Sequence, residues 1–113
     1  MMLFAGAILI DVNATVGEEV KLHCPLARPN DQRIIWWREK DKLVINNNIR
    51  LGLKDQLSYC NVTGNLMIRG AHLWDSAVYV CGPKFDSSIR HIINLTVFGK
   101  CLLFFVLHCG ILS

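Results

Sequence analysis

The sequence predicts an all-β fold, an antiparallel sandwich or barrel, in a single domain. Three observations lead to this prediction. Short apolar segments alternate with a period of two residues, turn residues separate these segments, and no segment has the period of an amphipathic helix. Because the chain has 113 residues, one domain with one modest core accounts for its length.

The predicted strands are short and follow one another closely. In chain order they cover residues 8–12, 20–24, 33–38, 42–45, 49–53, 66–68, 77–82 and 89–98. The stretches 25–32, 55–64 and 83–88 are polar or contain proline, so we expect them to be loops. Eight or nine short strands without helical periodicity favour two packed antiparallel sheets or a closed barrel.

Composition excludes two classes of protein. Apolar residues make up 52% of the chain, which argues against a disordered protein. The formal net charge is only +3, and no run of lysines and arginines is present. The sequence therefore predicts no nucleic-acid partner.

Cysteines and glycosylation signals indicate an oxidising compartment. The chain contains five cysteines, and three Asn-X-Thr sequons begin at Asn13, Asn61 and Asn94. Chance often supplies one sequon, but three in so short a chain with abundant cysteine favour the secretory pathway. We therefore expect an extracellular protein, secreted or at the cell surface, with glycans on these asparagines.

Both ends of the chain are apolar. Residues 1–10 are either a truncated leader or the first strand, because Ala5-Gly6-Ala7 matches a cleavage pattern but only four residues precede it. Residues 99–113 form an apolar tail that is nearly unbroken from Cys101 to Leu112. As a helix this run would span about 18 Å, against ~30 Å for a bilayer core. It is the first half of a truncated membrane helix, the product of a misread exon end, or a tail that packs on another surface.

A set of residues in the middle of the chain carries a family resemblance. The set consists of Cys24, Trp36, Leu66, Ile68 and the run Asp75-X-Ala77-X-Tyr79-X-Cys81. Together, at these spacings, the residues resemble the immunoglobulin superfamily over roughly residues 8–98. Cys24 and Cys81 are 57 residues apart in the sequence. This separation is closer to that of the compact intermediate-type domains than to that of antibody variable domains. The resemblance implies an immunoglobulin-like antiparallel β-sandwich with two sheets and about eight strands.

The resemblance implies structural roles for most of this set. Cys24 and Cys81 are expected to form a disulfide between the two sheets, with Trp36 packed against it in the core. Leu66 and Ile68 are expected to be core residues of a neighbouring strand.

The resemblance also implies two polar contacts. Tyr79 stands at the tyrosine corner, where its hydroxyl would bind upstream backbone. In this family an aspartate at the position of Asp75 often pairs with an arginine near the start of the fourth strand, and Arg50 is the matching candidate. Two residues depart from the family pattern: Ala77 replaces a common glycine, and Trp74 falls in a turn that is usually polar.

Strand parity predicts an apolar binding face. If the two cysteines and Trp36 point inward, the alternating neighbours point outward, and these are Ile35, Trp37, Val78 and Val80. In the resembled family the two strands are adjacent, so these side chains would form an exposed patch with a tryptophan as anchor. We expect the patch to bind a protein. The alternative is that the tail or a neighbouring domain covers it.

A glycan could restrict this face, and two loops offer an alternative contact surface. Asn94 should face outward on the same sheet, so a glycan there would restrict the interface to the part nearer the loop 83–88. That loop and the loop 25–32 form the alternative contact surface, with Phe85 as the main apolar candidate.

Three cysteines remain outside the predicted disulfide: Cys60, Cys101 and Cys109. Cys60 and Cys101 are expected at opposite ends of the sandwich, too far apart for the ~7 Å Cα separation that a disulfide allows. We therefore expect Cys60 to be free or to bridge to a partner chain. Cys101 and Cys109 could pair only if the tail turns back.

No constellation of residues indicates catalysis. The histidines His23, His72, His91 and His108 are scattered and expected at the surface, and no CxxC, HExxH or nucleophile elbow occurs. The sequence therefore predicts a protein that is not an enzyme and has no cofactor or metal site.

The expected function is protein binding outside the cell, through homophilic or heterophilic immunoglobulin-type contact. One hypothesis is a domain for cell adhesion or receptor recognition, attached to a membrane through a fuller version of the tail. The alternative is a small soluble secreted module that binds or blocks a receptor. A third hypothesis is a fragmentary product with no fixed partner.

Overall fold

The computed structural model describes residues 7–25, 34–45, 48–84 and 89–99, except the side chains of residues 7 and 8. Nine strands lie in these ranges. They are β1 (Ala7–Thr15), β2 (Val20–Leu22), β3 (Ile34–Arg38), β4 (Asp41–Ile45), β5 (Asn48–Ile49), β6 (Leu57–Tyr59), β7 (Leu66–Ile68), β8 (Ala77–Pro83) and β9 (Arg90–Phe98). A 3₁₀ turn, Leu73–Asp75, precedes β8.

The described strands form two sheets. One has six strands in the order β1-β9-β8-β3-β4-β5, and the other has three in the order β2-β7-β6. The prediction of a two-sheet sandwich is therefore confirmed. One strand pair departs from the antiparallel pattern, because β1 runs parallel to β9 along its whole length, from Ala7 opposite Arg90 to Thr15 opposite Phe98.

The core lies between the sheets, where alternate side chains point inward. Trp36, Leu66 and Ile68 are fully buried there. A disulfide joins Cys24 to Cys81 with a Cα–Cα distance of 6.2 Å, within the usual range for such bonds. The indole Nε1–H of Trp36 donates to a buried backbone carbonyl 2.9 Å away, so the polar atom of this core residue is satisfied.

A polar cluster at the start of β8 corrects the predicted ion pair. The arginine that reaches the Asp75 carboxylate is Arg38, at 4.0 Å, and not Arg50. Arg38 lies opposite Tyr79 in the β3–β8 register, and the Tyr79 hydroxyl donates to the Asp75 carbonyl at 2.8 Å. Arg50 instead follows β5, which β4 and β3 separate from β8 in the sheet. The ion pair therefore follows from strand order.

The middle of the chain also differs from the prediction. The predicted strand 49–53 ends at Ile49, because the chain turns at Gly52 with a φ of 91° that favours glycine. The predicted loop 55–64 contains strand β6, whose Leu57 is buried and lies opposite Ile68. Only three residues of β6 pair with β7, which is too short a run for a clear alternation signal.

One histidine is buried, against the prediction of surface positions. His91 is only 3% exposed because it points inward on β9, opposite Cys81. Neither of its ring nitrogens has a hydrogen-bond partner among the described residues. Burial lowers the pKa of His91, and the charge of nearby His23 lowers it further. His108 lies outside the described residues.

The described part of the chain contains no helix that is both long enough and apolar enough to cross a bilayer.

Candidate protein-binding face

The outer surface of the six-stranded sheet presents a continuous apolar row. Strand register places Leu9 on β1 opposite Ile92 on β9, Ile92 opposite Val80 on β8, and Val80 opposite Trp37 on β3. We call the outward side chains of this sheet the six-stranded face: Leu9, Ile35, Trp37, Val78, Val80, Arg90, Ile92 and Asn94. The row therefore crosses four strands, of which β1 and β3 are distant in sequence from the consecutive strands β8 and β9.

The exposure of this face differs from residue to residue. Leu9 is 68% exposed at the edge strand, whereas Trp37, Val78 and Val80 are half-buried. The prediction that Ile35 is exposed is wrong, because it retains only 6% exposure. Its neighbour on β8 is Gly82, and the Arg90 side chain lies across Gly82.

An arginine–tryptophan contact lies at the centre of the face. The Arg90 guanidinium carbon is 4.8 Å from the centroid of the Trp37 ring, a distance typical of a cation–π interaction. The Nη1 of Arg90 also donates to the carbonyl of Ile89 at 2.8 Å. Gly82 lies beneath this side chain, and a Cβ there would approach Nη1 to 2.8 Å. The arrangement thus needs glycine for its close approach.

Polar groups border the apolar row on one side. Asn94 lies next to Val78 in register, and its amide donates to the Asp11 carboxylate at 3.2 Å. Asn13, Asn61 and Asn94 are all exposed. The first and third lie on the six-stranded sheet, and Asn61 follows β6 in the other sheet.

A second surface lies at the far edge of the same sheet. A groove of about 560 Å³ runs along the β4–β5 hairpin. Lys40, Lys42 and Arg50 line it together with Ile45 and Ile49. The groove combines positive charge with apolar contact area.

The free thiol of Cys60 is exposed in the turn that follows β6. Hydrogen bonds from the Thr63 side chain, and then from the backbone of Thr63 and Val62, lower its pKa, and Lys21 contributes a smaller charge effect in the same direction. Cys101, Cys109 and Phe85 lie outside the described residues, so their predicted roles stay predictions.

No group of three or more His, Cys, Asp or Glu side chains in the described ranges is placed to hold a metal ion. The residues of the candidate face that the sequence did not indicate are Leu9, Arg90 and Ile92. Arg90 and Ile92 alternate with inward residues on the last strand in the same way as Asn94, so the alternation that predicts an outward Asn94 also predicts their outward side chains. No local signal places Leu9 beside Ile92, because that neighbour comes from the parallel pairing of the first and last strands.

No protein-family model and no curated protein sequence matches the chain. Solved structures with the same fold include the CD2-binding domain of CD58 (lymphocyte function-associated antigen 3). It has a TM-score of 0.67 and 20% identity, over 81% of this chain and 55% of that one. The ZIG-8–RIG-5 IG1–IG1 heterodimer has a TM-score of 0.64 and 22% identity, over 77% and 80% of the two chains.

A third similar structure is Rst D1-D2, with a TM-score of 0.64 and 25% identity, over 80% of this chain and 46% of that one. The chain therefore spans about half the length of the CD58 and Rst chains. Two sheets of strands, the Cys24–Cys81 disulfide between them and these structural neighbours together confirm the predicted fold. This chain has an immunoglobulin-like fold.

Proposed function

We propose that this chain is an extracellular protein-binding domain for cell adhesion or receptor recognition, without catalytic activity, and that it binds through the six-stranded face. The apolar row from Leu9 through Ile92 and Val80 to Trp37 is the observation that carries the proposal. A tryptophan and an arginine at the centre of a patch, with polar groups at its border, are the residue types that dominate binding energy at protein interfaces.

The structural neighbours support a protein as the partner. The CD58 domain is a CD2-binding domain, and ZIG-8 and RIG-5 form a heterodimer through their IG1 domains. We propose a comparable contact for this chain, homophilic or heterophilic, between its six-stranded face and another immunoglobulin-type domain. The loops 25–32 and 83–88, with Phe85, are a secondary contact surface in this proposal.

Extracellular placement is supported by the disulfide and by the exposure of all three sequon asparagines. We propose glycans at Asn13, Asn61 and Asn94. Glycans on the first and third would confine the interface to the part of the face that contains Trp37 and Arg90. We further propose that residues 8–98 form the binding domain, that residues 1–10 are a leader or part of the first strand, and that residues 99–113 are a tail.

Two forms of the protein fit this proposal. One is attached to a membrane through a fuller C-terminal segment, and the other is a soluble secreted module that binds or blocks a receptor. The 3′ end of the transcript discriminates between them, because an apolar run of ~20 residues would span a bilayer.

Analytical ultracentrifugation of the secreted protein, with and without Trp37→Ala, tests the binding face. Loss of a central tryptophan typically costs ~2 kcal/mol or more, so we expect the dissociation constant of a self-associating protein to rise about 30-fold. Trp74→Ala is the matched control, because Trp74 lies in the 3₁₀ turn and not on the face. Both variants should keep the far-ultraviolet circular dichroism of the wild type.

If the wild type is monomeric, the same variants are tested as labelled tetramers against a panel of cell-surface ectodomains. We expect an ectodomain that binds the wild type to bind the Trp74→Ala tetramer but not the Trp37→Ala tetramer. Equal binding of the wild type and folded Trp37→Ala would remove the six-stranded face from the interface.

A further inference from the structure

The turn before β8 exposes two large apolar side chains that neither the core nor the six-stranded face uses. Trp74 is 72% exposed and Leu73 is 41% exposed, and they are consecutive in the 3₁₀ turn. Tryptophan is highly buried on average, but this indole lies outside the core cluster and stacks on His72 at the start of the turn. Paired exposed apolar groups of this kind mark a surface that contacts something else.

The turn is held rigidly, so the exposure of Trp74 is built into the fold. The backbone N–H of His72 donates to the Asp75 carboxylate at 2.7 Å, and the N–H of Asp75 donates to the His72 carbonyl at 2.9 Å. The Tyr79 hydroxyl fixes the Asp75 carbonyl at 2.8 Å. The His72 and Trp74 rings stack with centroids 4.3 Å apart and planes 11° from parallel. The indole is thus presented in one orientation.

The turn lies at the end of the sandwich where β9 leaves the domain. The N–H of Val97 donates to the hydroxyl of Ser76, the residue that caps the turn, at 2.8 Å. The carbonyl of Phe98 accepts from Val16 at the same end. Only Gly99 and Lys100 then precede the apolar run 101–112. The exposed Trp74 and the end of β9 therefore lie at one end of the sandwich, and the run 101–112 follows β9 in sequence.

Indole rings partition to the boundary between lipid headgroups and acyl chains, because one edge is polar and the body is apolar. The run 101–112 lies next in the chain, and its apolar side chains also favour lipid over water. Charges around the turn are mixed, since Arg69 lies on one side and Glu18 on the other through its backbone contact with Ala71. The charge around the turn therefore favours neither an anionic nor a cationic surface, which fits a zwitterionic one.

We propose that Leu73 and Trp74 form a lipid contact that inserts into the headgroup boundary of a zwitterionic bilayer and orients the domain on it. This contact uses the end of the sandwich. The six-stranded face would then run roughly parallel to the membrane normal, away from the lipid, and stay open to a partner. The proposal rests on lipid association of the chain and is independent of partner binding.

The test uses the full chain on phosphatidylcholine vesicles that carry bromine on the acyl chain near the headgroup. Bromine quenches indole emission only at short range. The chain has three tryptophans, of which Trp36 is fully buried and Trp37 is half-buried on the six-stranded face. We expect brominated lipid to quench the tryptophan fluorescence of the wild type by no more than the part that one tryptophan contributes. The fluorescence of Trp37→Phe should be quenched as well. Trp74→Phe should lose this quenching while still floating with the vesicles.

The depth of the bromine gives a second readout. Bromine near the headgroup should quench more than bromine near the acyl methyl end, because the proposed position of the indole is interfacial. Quenching that persists in Trp74→Phe would overturn the proposal. So would unquenched Trp74 in vesicle-bound protein, which would mean that the tail or a second copy covers the turn. Failure of the wild type to float with the vesicles would also overturn it, whatever the outcome of the partner-binding experiment.

Discussion

Replacing Gly82 with alanine tests the centre of the binding face most directly. An added Cβ would lie 2.5 Å from the carbonyl oxygen of Ile89 and 2.8 Å from Nη1 of Arg90. Gly82 is not among the glycines with positive φ, so its backbone conformation suits alanine, which in a strand would gain about 0.5–1 kcal/mol. Overpacking typically costs about 1–3 kcal/mol. The clash outweighs the gain, and we expect a net loss of about 1–2 kcal/mol in the free energy of unfolding.

Thermal and urea unfolding followed by circular dichroism measure this loss. For a domain of this size, we expect the midpoint temperature to fall by roughly 5–10 °C. Arg90→Ala removes the side-chain part of the clash, so the double variant should recover part of the stability lost in Gly82→Ala. Gly70→Ala is the control, because a Cβ there meets nothing within 4 Å and its cost comes from a φ of 57°. That cost should add to the effect of Arg90→Ala. A Gly82→Ala variant as stable as the wild type, or strict additivity with Arg90→Ala, would refute the reasoning.

Three further predictions concern buried and reactive side chains. Trp36→Phe leaves the carbonyl that accepts its indole N–H without a donor and opens space in the core, so urea unfolding should show a loss of roughly 2–4 kcal/mol; a loss under about 1 kcal/mol would contradict this account. Because the pKa of His91 is lowered by burial, the unfolded chain binds more protons below its ordinary pKa of 6.5, and stability should fall as the pH drops through that value. His91→Leu should lose less stability than the wild type between about pH 7.5 and about pH 5.5 in urea titrations, and equal losses would count against the buried neutral ring. Thr63→Val removes the hydroxyl that lowers the pKa of Cys60, so alkylation by iodoacetamide near neutral pH should slow. Asn61→Gln, which abolishes the same sequon, should leave that rate unchanged if the hydroxyl is the cause.

The fold could be predicted because its main signals are local. Side chains alternate every two residues in a strand, so inward positions such as Trp36 and Tyr79 can be read from their neighbours. The spacing of Cys24 and Cys81 around them carried the resemblance from which the disulfide was expected. These features depend on residues that stand in a fixed relation along the chain.

Polar pairing was harder to predict because several partners compete for one group. Both Arg38 and Arg50 were available to Asp75, and the chain alone does not give their distances. Arg38 reaches the carboxylate because β3 lies directly beside β8, whereas Arg50 is carried to the far side of the sheet. The burial of His91 follows the parity that points Leu95 and Val97 inward on β9, but it goes against the cost of burying an imidazole without hydrogen-bond partners.

Wherever a strand was long enough to recognise, its residues alone fixed which side chains point into the core, because backbone pleating alternates them. The tertiary structure alone decided that Leu9, Ile92, Val80 and Trp37 share one row, since their order depends on hydrogen bonds between strands from both ends of the chain. It also decided that Arg90 crosses a glycine to reach the tryptophan. Register between strands is a property of the whole packed sheet, and no single segment encodes it.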